Sequence, residues 1–142
     1  MSIPYFIDKL QYNPYSKFMA QNEATFYKYL KQKLKSISII KVSNTCIQGQ
    51  PDILAQNSKG VWFLIELKVI MLNKKPKLSA HQQAFFHRFP KNSFILIKQK
   101  SPVASAYKLY TGDQIQSLVT CGVKTTPIAC DLDACALIFE NL

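Results

Sequence analysis

From about Asn22 the chain carries a helical pattern. Tyr27, Leu30 and Leu34 recur at three- and four-residue spacing, with Phe26 beside them and lysines elsewhere, the apolar stripe of an amphipathic helix. "SISIIKV" (36–42) is rich in β-branched residues and predicts a strand. "PDILAQ" and "VWFLIELKV" flank "NSKG", the pattern of a β-hairpin closed by a four-residue loop. A basic loop, "MLNKKPK", leads into "LSAHQQAFFHRF", a helix with a start signal and an aromatic face. "NSFILIK" (92–98) and "AYKLYTG" read as strands, the second ending at Gly112, and "DQIQSLVTCG" as a short helix stopped by Gly122.

The two ends carry weaker patterns. Residues 1–20 hold Tyr5, Phe6, Tyr12, Tyr15 and Phe18 with two prolines and little periodicity, which predicts an aromatic arm packed on its own domain or on a partner subunit. Residues 123–142 are apolar and fit a strand or a helix. The order is α, β, β, β, α, β, β, α, with no internal repeat or linker, so the expectation is one mixed α/β domain over residues 1–142 with a hairpin at its centre. A length of 142 residues suits one core.

Within the hairpin the second strand presents a contradiction. "VWFLIELKV" is a run of large apolar residues, yet Glu66 and Lys68 lie inside it, in a chain with only 8 acidic residues. Strand alternation projects Trp62, Leu64, Glu66 and Lys68 from one side, with Glu66 and Lys68 about 6.6–7 Å apart along the strand. Closing the hairpin at "NSKG" puts Asp52 across from Ile65 or Glu66. In the second register two carboxylates and an ammonium converge. Facing carboxylates repel unless something positive lies between them, and a divalent cation answers that need, since Mg²⁺ selects hard oxygen ligands. A lysine beside such a metal would orient or help deprotonate an attacking water, an arrangement suited to phosphodiester hydrolysis. The plainer reading is an Asp at a strand start and a surface Glu–Lys pair; the acid inside an apolar run favours the site.

Two further residues point the same way. Glu23 shares a helix face with Tyr27, Leu30 and Leu34, where a lone buried carboxylate is costly, although an acid in a first turn also suits the helix dipole. Ser79 and Gln82 form a capping-box pattern, and Gln82 shares a face with Phe85 and Phe89, so its direction stays open.

Charge then widens the picture. Eighteen Lys and Arg, 17 of them lysine, against 8 Asp and Glu give +10, an excess that favours a polyanionic partner. Lys74, Lys75 and Lys77 fall in the loop after the Glu66 strand, placed to grip a phosphate backbone without reading sequence; a solvated basic loop is the alternative. Lys98, Lys100 and Lys108 could extend that track, but the sequence does not place them. No helix-turn-helix or zinc-finger pattern is present. The cysteines (Cys46, Cys121, Cys130, Cys135) have no C-x-x-C pair and read as isolated buried thiols rather than a zinc site. His81 and His87 are six residues apart, off a common helix face. No apolar run approaches the roughly 20 residues of a membrane span, and the N-terminus lacks a secretory pattern, so a soluble intracellular protein is expected.

Taken in order, Glu23, "GQPDI", "FLIELK" and "LSAHQQAFFHRF" resemble the PD-(D/E)xK nuclease superfamily, and within it the small VRR-NUC and Holliday-junction-resolvase-like nucleases. The likeness covers about residues 22–112. It implies a restriction-endonuclease-like mixed central sheet flanked by helices. It further implies Mg²⁺ (or Mn²⁺) held by Asp52, Glu66 and the carbonyl of Leu67, with no small-molecule cofactor. Lys68 would then position the water or stabilise developing charge, Glu23 serve as an accessory acid, and Gln82 face the substrate or support the ligands. The expected function is a metal-dependent endonuclease acting on branched, flapped or junction DNA. A homodimer would match two-fold symmetric junctions, with residues 1–20 as its candidate interface. A catalytically silent nuclease-fold module that binds DNA or protein is the rival expectation.

Overall fold

The computed structural model describes residues 14–42, 48–72 and 74–142. In chain order the elements are helix α1 (Pro14–Lys33), strands β1 (Ser38–Lys41), β2 (Ile53–Gln56) and β3 (Trp62–Met71), helix α2 (Ala80–Arg88), strands β4 (Ser93–Lys100) and β5 (Ala106–Thr111), and helices α3 (Ile115–Cys121) and α4 (Leu132–Glu140). The five strands form one mixed sheet in the order β1-β2-β3-β4-β5, with helices on its faces. Neighbours are antiparallel except β3 and β4. That parallel pair needs a crossover, which α2 supplies.

The two faces of the sheet carry separate cores. On one side Phe26 and Leu30 of α1, Leu34 just after it, and Leu132, Cys135 and Phe139 of α4 pack against the odd-numbered residues of β3. On the other, Phe86 of α2 and Ile115 and Leu118 of α3 pack against Ile70, Ile95, Ile97 and Tyr110. Central strands covered on both faces read as unbroken apolar runs, which is why β3 and β4 showed so little alternation.

Asn57 shapes the hairpin loop: its Oδ1 accepts the Lys59 and Val61 amides, both at 3.0 Å, and Gly60 adopts φ +84°. Its buried Nδ2 donates to the Phe139 carbonyl at 2.9 Å, tying the loop to α4. Among the described residues no helix is long and apolar enough to cross a membrane.

Several expectations are corrected. Residues 14–20 are helical, so α1 begins well before Asn22 and the irregular arm does not extend over them; residues 1–13 lie outside the described residues. The ambiguous tail resolves as helix over Leu132–Glu140, capped by Asp131, whose side chain accepts the Ala134 amide. Among the described cysteines only Cys135 is a buried thiol; Cys121 and Cys130 are exposed, and Cys46 lies outside the described residues.

Candidate active site

The hairpin adopts the register that brings the acids together. Ile53 faces Ile65, so the next position back, Asp52, stands opposite Glu66. Asp52 precedes the ladder, with its carbonyl accepting the Val42 amide at 2.8 Å and its Oδ2 accepting the Leu67 amide at 2.9 Å. Its carboxylate is thereby held against β3.

Glu66 is 2 % exposed. Its Oε1 accepts from Gln82 Nε2 at 2.7 Å and lies 3.4 Å from Lys68 Nζ. Lys68 Nζ in turn donates to Gln82 Oε1 at 3.3 Å. Gln82 settles both of its readings at once: Oε1 also accepts the Ser79 amide at 3.0 Å, while Ser79 Oγ accepts the Gln82 amide, a complete capping box. One side chain thus fixes the start of α2 and aligns Glu66 with Lys68. Glu66 Oε2 is buried and accepts no hydrogen bond from the described residues; only when the carboxyl is protonated can it share its proton with Asp52. An unpaired buried carboxylate oxygen is costly.

Burial pushes the Glu66 carboxyl up to about 8, and the neighbouring Asp52 charge adds to the rise against the pull of Lys68. A hydrogen bond between Asp52 and the protonated form adds a smaller contribution in the same direction. Glu23 is raised for the same two leading reasons, burial and then Asp52, with Lys68 and Lys41 opposing. Two of the chain's 8 acids, Glu23 and Glu66, therefore each feel the charge of a third, Asp52.

A cavity of about 170 Å³ opens there, lined by Glu23, Ala24, Tyr27, Lys41, Asp52 and Leu67. Glu66 is too buried to line it, and Asp52 is the element the two share. Among the described residues no three His, Cys, Asp or Glu side chains converge closely enough to hold a metal ion by themselves. Two carboxylates and the Leu67 carbonyl would be a sparse set for Zn²⁺ or Ca²⁺, but Mg²⁺ commonly takes one or two carboxylates and leaves its other positions to water and phosphate. The orphaned Oε2 is the observation that fits a cation here.

Sequence reasoning missed two residues. Lys41 lines the cavity, with Nζ over the Tyr27 ring at 5.7 Å; nothing in "SISIIKV" separates it from an ordinary strand-end lysine. Gly49, at φ +80°, lets the loop before β2 lie on the first turn of α2: a Cβ there would sit 2.2 Å from the His81 carbonyl group. The glycine of "GQPDI" was its signal.

The basic track is shorter than expected. Lys74 and Lys77 are exposed in the loop after β3. Lys75 instead donates to the Thr120 carbonyl at 2.9 Å, at the C-terminal end of α3, a favourable place for a cation. Lys98 lies over the rings of Phe26 and Tyr29, Lys100 pairs with Asn22, and Lys108 donates to the Val123 carbonyl at 3.3 Å. Lys98 and Lys108 engage opposite faces of the sheet, so these lysines form no continuous strip. His81 and His87 are exposed.

Gln82→Leu is expected to lose the cap, the Glu66 hydrogen bond and the Lys68 contact together. Residues that support metal ligands in this way cost roughly 10–100-fold in metal affinity when lost, so if Asp52 and Glu66 hold a cation, a Mn²⁺ titration of the variant should show a loss in that range. Unchanged affinity would limit Gln82 to capping.

No protein-family model matches the chain, and a search of curated protein sequences finds no match.

Proposed function

We propose that the chain is a divalent-metal-dependent DNA endonuclease with a restriction-endonuclease-like fold, of the PD-(D/E)xK type. The observation that carries this reading is the facing pair Asp52 and Glu66, with one buried Glu66 oxygen that accepts no hydrogen bond from the described residues and Lys68 fixed beside it. A chain gains nothing in stability from such an arrangement, and its expense is accounted for by a bound cation. Asp52, Glu66 and the Leu67 carbonyl would hold Mg²⁺ or Mn²⁺. When bound, the cation supplies Lewis-acid polarisation of a phosphodiester and an acidified water.

The chain's own residues supply the remainder. Lys68 Nζ, aimed by Glu66 and Gln82, orients the attacking water or meets the charge growing on the phosphate. Glu23, on the facing wall of the cavity, is an accessory acid that accepts a hydrogen bond from that water. Lys74 and Lys77 neutralise backbone phosphates on either side of the cut. No base-reading module is evident in the sequence, so DNA shape is the proposed determinant of selection, with branched, flapped or junction DNA as the substrate class. Two-fold junctions would require a homodimer. Most of the segment proposed for its interface lies outside the described residues.

The test is cleavage of end-labelled linear, flapped and four-way-junction DNA with Mn²⁺, with Mg²⁺ and with chelator, alongside Glu66→Ala. Metal-dependent cutting that disappears in the variant is the expected result. DNA that is shifted on a gel yet stays intact under every condition would leave a binding module and overturn the endonuclease reading.

A further inference from the structure

Among the described residues, α2 and α3 cover the second face of the sheet over most of β3, β4 and β5, but not over β1, β2 and the start of β3. There Ile40, Leu54 and Leu64 form one cross-strand row, with Ile40 52 % exposed and Leu54 and Leu64 half-buried. Beside that row runs a groove of about 450 Å³. Leu54, Leu64 and Trp62 contribute from the hairpin, Phe85 and Phe89 from α2 and its end, and Lys91 from the turn that follows. Trp62 and Phe89 are each nearly half exposed, at 49 % and 47 %.

Three features say what fills it. The groove continues from the carboxylate site. Leu64 lies two residues before Glu66 on the same strand face, Phe85 one helical turn beyond Gln82, and Pro51 immediately before Asp52, and all three line it. No acidic side chain lines it, Lys91 does, and the Arg88 guanidinium lies 5.2 Å from the centre of the Phe89 ring at its rim. Finally, Trp62 and Phe89 present open ring surface beside cations, with Phe85 half-buried next to Phe89, the combination on which unpaired bases stack while their phosphates meet positive charge.

We propose that this groove binds single-stranded DNA, its bases stacked on Trp62, Phe85 and Phe89, and leads the unpaired arm of a substrate away from the cut. The proposal rests on the nuclease reading of Asp52 and Glu66 for its role, and it narrows the substrate class to DNA with an unpaired segment next to the scissile bond. A second copy of the chain is the competing occupant. The lining holds Lys91 and no acid, and a second copy would bring another chain of net charge +10 to it, so charge favours a polyanion over a copy.

Trp62 is the chain's only tryptophan, so its fluorescence reports on the groove alone. The experiment titrates the protein, in chelator, with oligo(dT) of roughly 15 nucleotides and with blunt duplex of equal length. Quenching by oligo(dT) that exceeds quenching by duplex, and that weakens on the order of tenfold in Phe89→Ala, is expected. Phe89 lies at the surface, and Lys91→Ala provides a second variant, expected to lessen the salt dependence of the same quenching. Emission that ignores oligo(dT) would overturn the groove. So would emission that shifts to the blue with protein concentration alone while the mass doubles, since a second copy would then cover it. The two readings fail separately: metal-dependent cutting of flapped DNA without quenching removes only the groove, and quenching without cutting removes only the nuclease.

Discussion

Glu66→Gln is expected to raise the thermal stability of the metal-free protein at pH 8 while cutting metal-dependent cleavage steeply. The folded chain holds the Glu66 proton up to about pH 8, against an ordinary value of 4.5. Between those two values the folded state carries a proton that the unfolded chain has lost, so stability falls as pH rises through that window. Glutamine is neutral throughout and removes that slope. The difference between wild type and variant should be near zero at pH 4.5 and reach on the order of 2–4 kcal/mol by pH 8. That corresponds to roughly 6–12 °C in melting temperature for a chain of this size. Cleavage should fall on the order of 10³-fold in the same variant. Melting curves from pH 4.5 to 8 in chelator provide the check. A variant that melts with wild type at pH 8 would show that the buried carboxyl is not strained, and the case for a cation would lose its main support.

Gly49→Ala is expected to have the opposite effect on stability and the same effect on activity. A methyl group at Gly49 meets main-chain atoms of α2, the His81 carbonyl group at 2.2 Å and the Gln82 amide nitrogen at 2.6 Å. None of these is a flexible side-chain end that can swing away. The backbone at φ +80° adds strain for any side chain. The loop must therefore lift from α2, and Asp52, three residues on, moves with it. A destabilisation of about 2–4 kcal/mol follows, together with a loss of metal affinity greater than that of Gln82→Leu. Denaturant unfolding and a Mn²⁺ titration measure the two effects. Preserved metal affinity would show that Asp52 is positioned by β2 and β3 alone.

What the sequence disclosed followed the range over which each signal acts. The hairpin register was legible to within one residue because alternation and loop length are local, and the Leu67 amide bonded to Asp52 belongs to the register that pairs Asp52 with Glu66. The contradiction of an acid inside an apolar strand proved informative for the same reason: β3 is buried on both faces, so Glu66 had nowhere exposed to go. Gln82 was legible only in part, since a capping box is written in the sequence while the distance to Glu66 depends on where α2 lands.

Other features were set by tertiary packing. "PYSKFMAQ" lacks periodicity, yet Pro14 stands at the first helical position, where its fixed φ is an advantage. The last helix is preceded by Asp131, a cap signal hidden by a stretch of Ala, Cys, Leu and Ile that suits either element. Charge disclosed least. The sequence left Lys98 unplaced, and the fold lays its ammonium over aromatic rings of α1, which its long apolar stem permits. Composition gives the number of lysines, and only the fold says which of them are committed.

The claim on which everything else depends is that Asp52 and Glu66 together form a cation site. Calorimetric titration of Mn²⁺ into wild type, Asp52→Asn and Glu66→Gln tests it without reference to any DNA. Saturable binding of Mn²⁺ by the wild type, lost in both variants while each still melts cooperatively, is the expected result. No binding by the wild type, or equal binding by all three proteins, would contradict it.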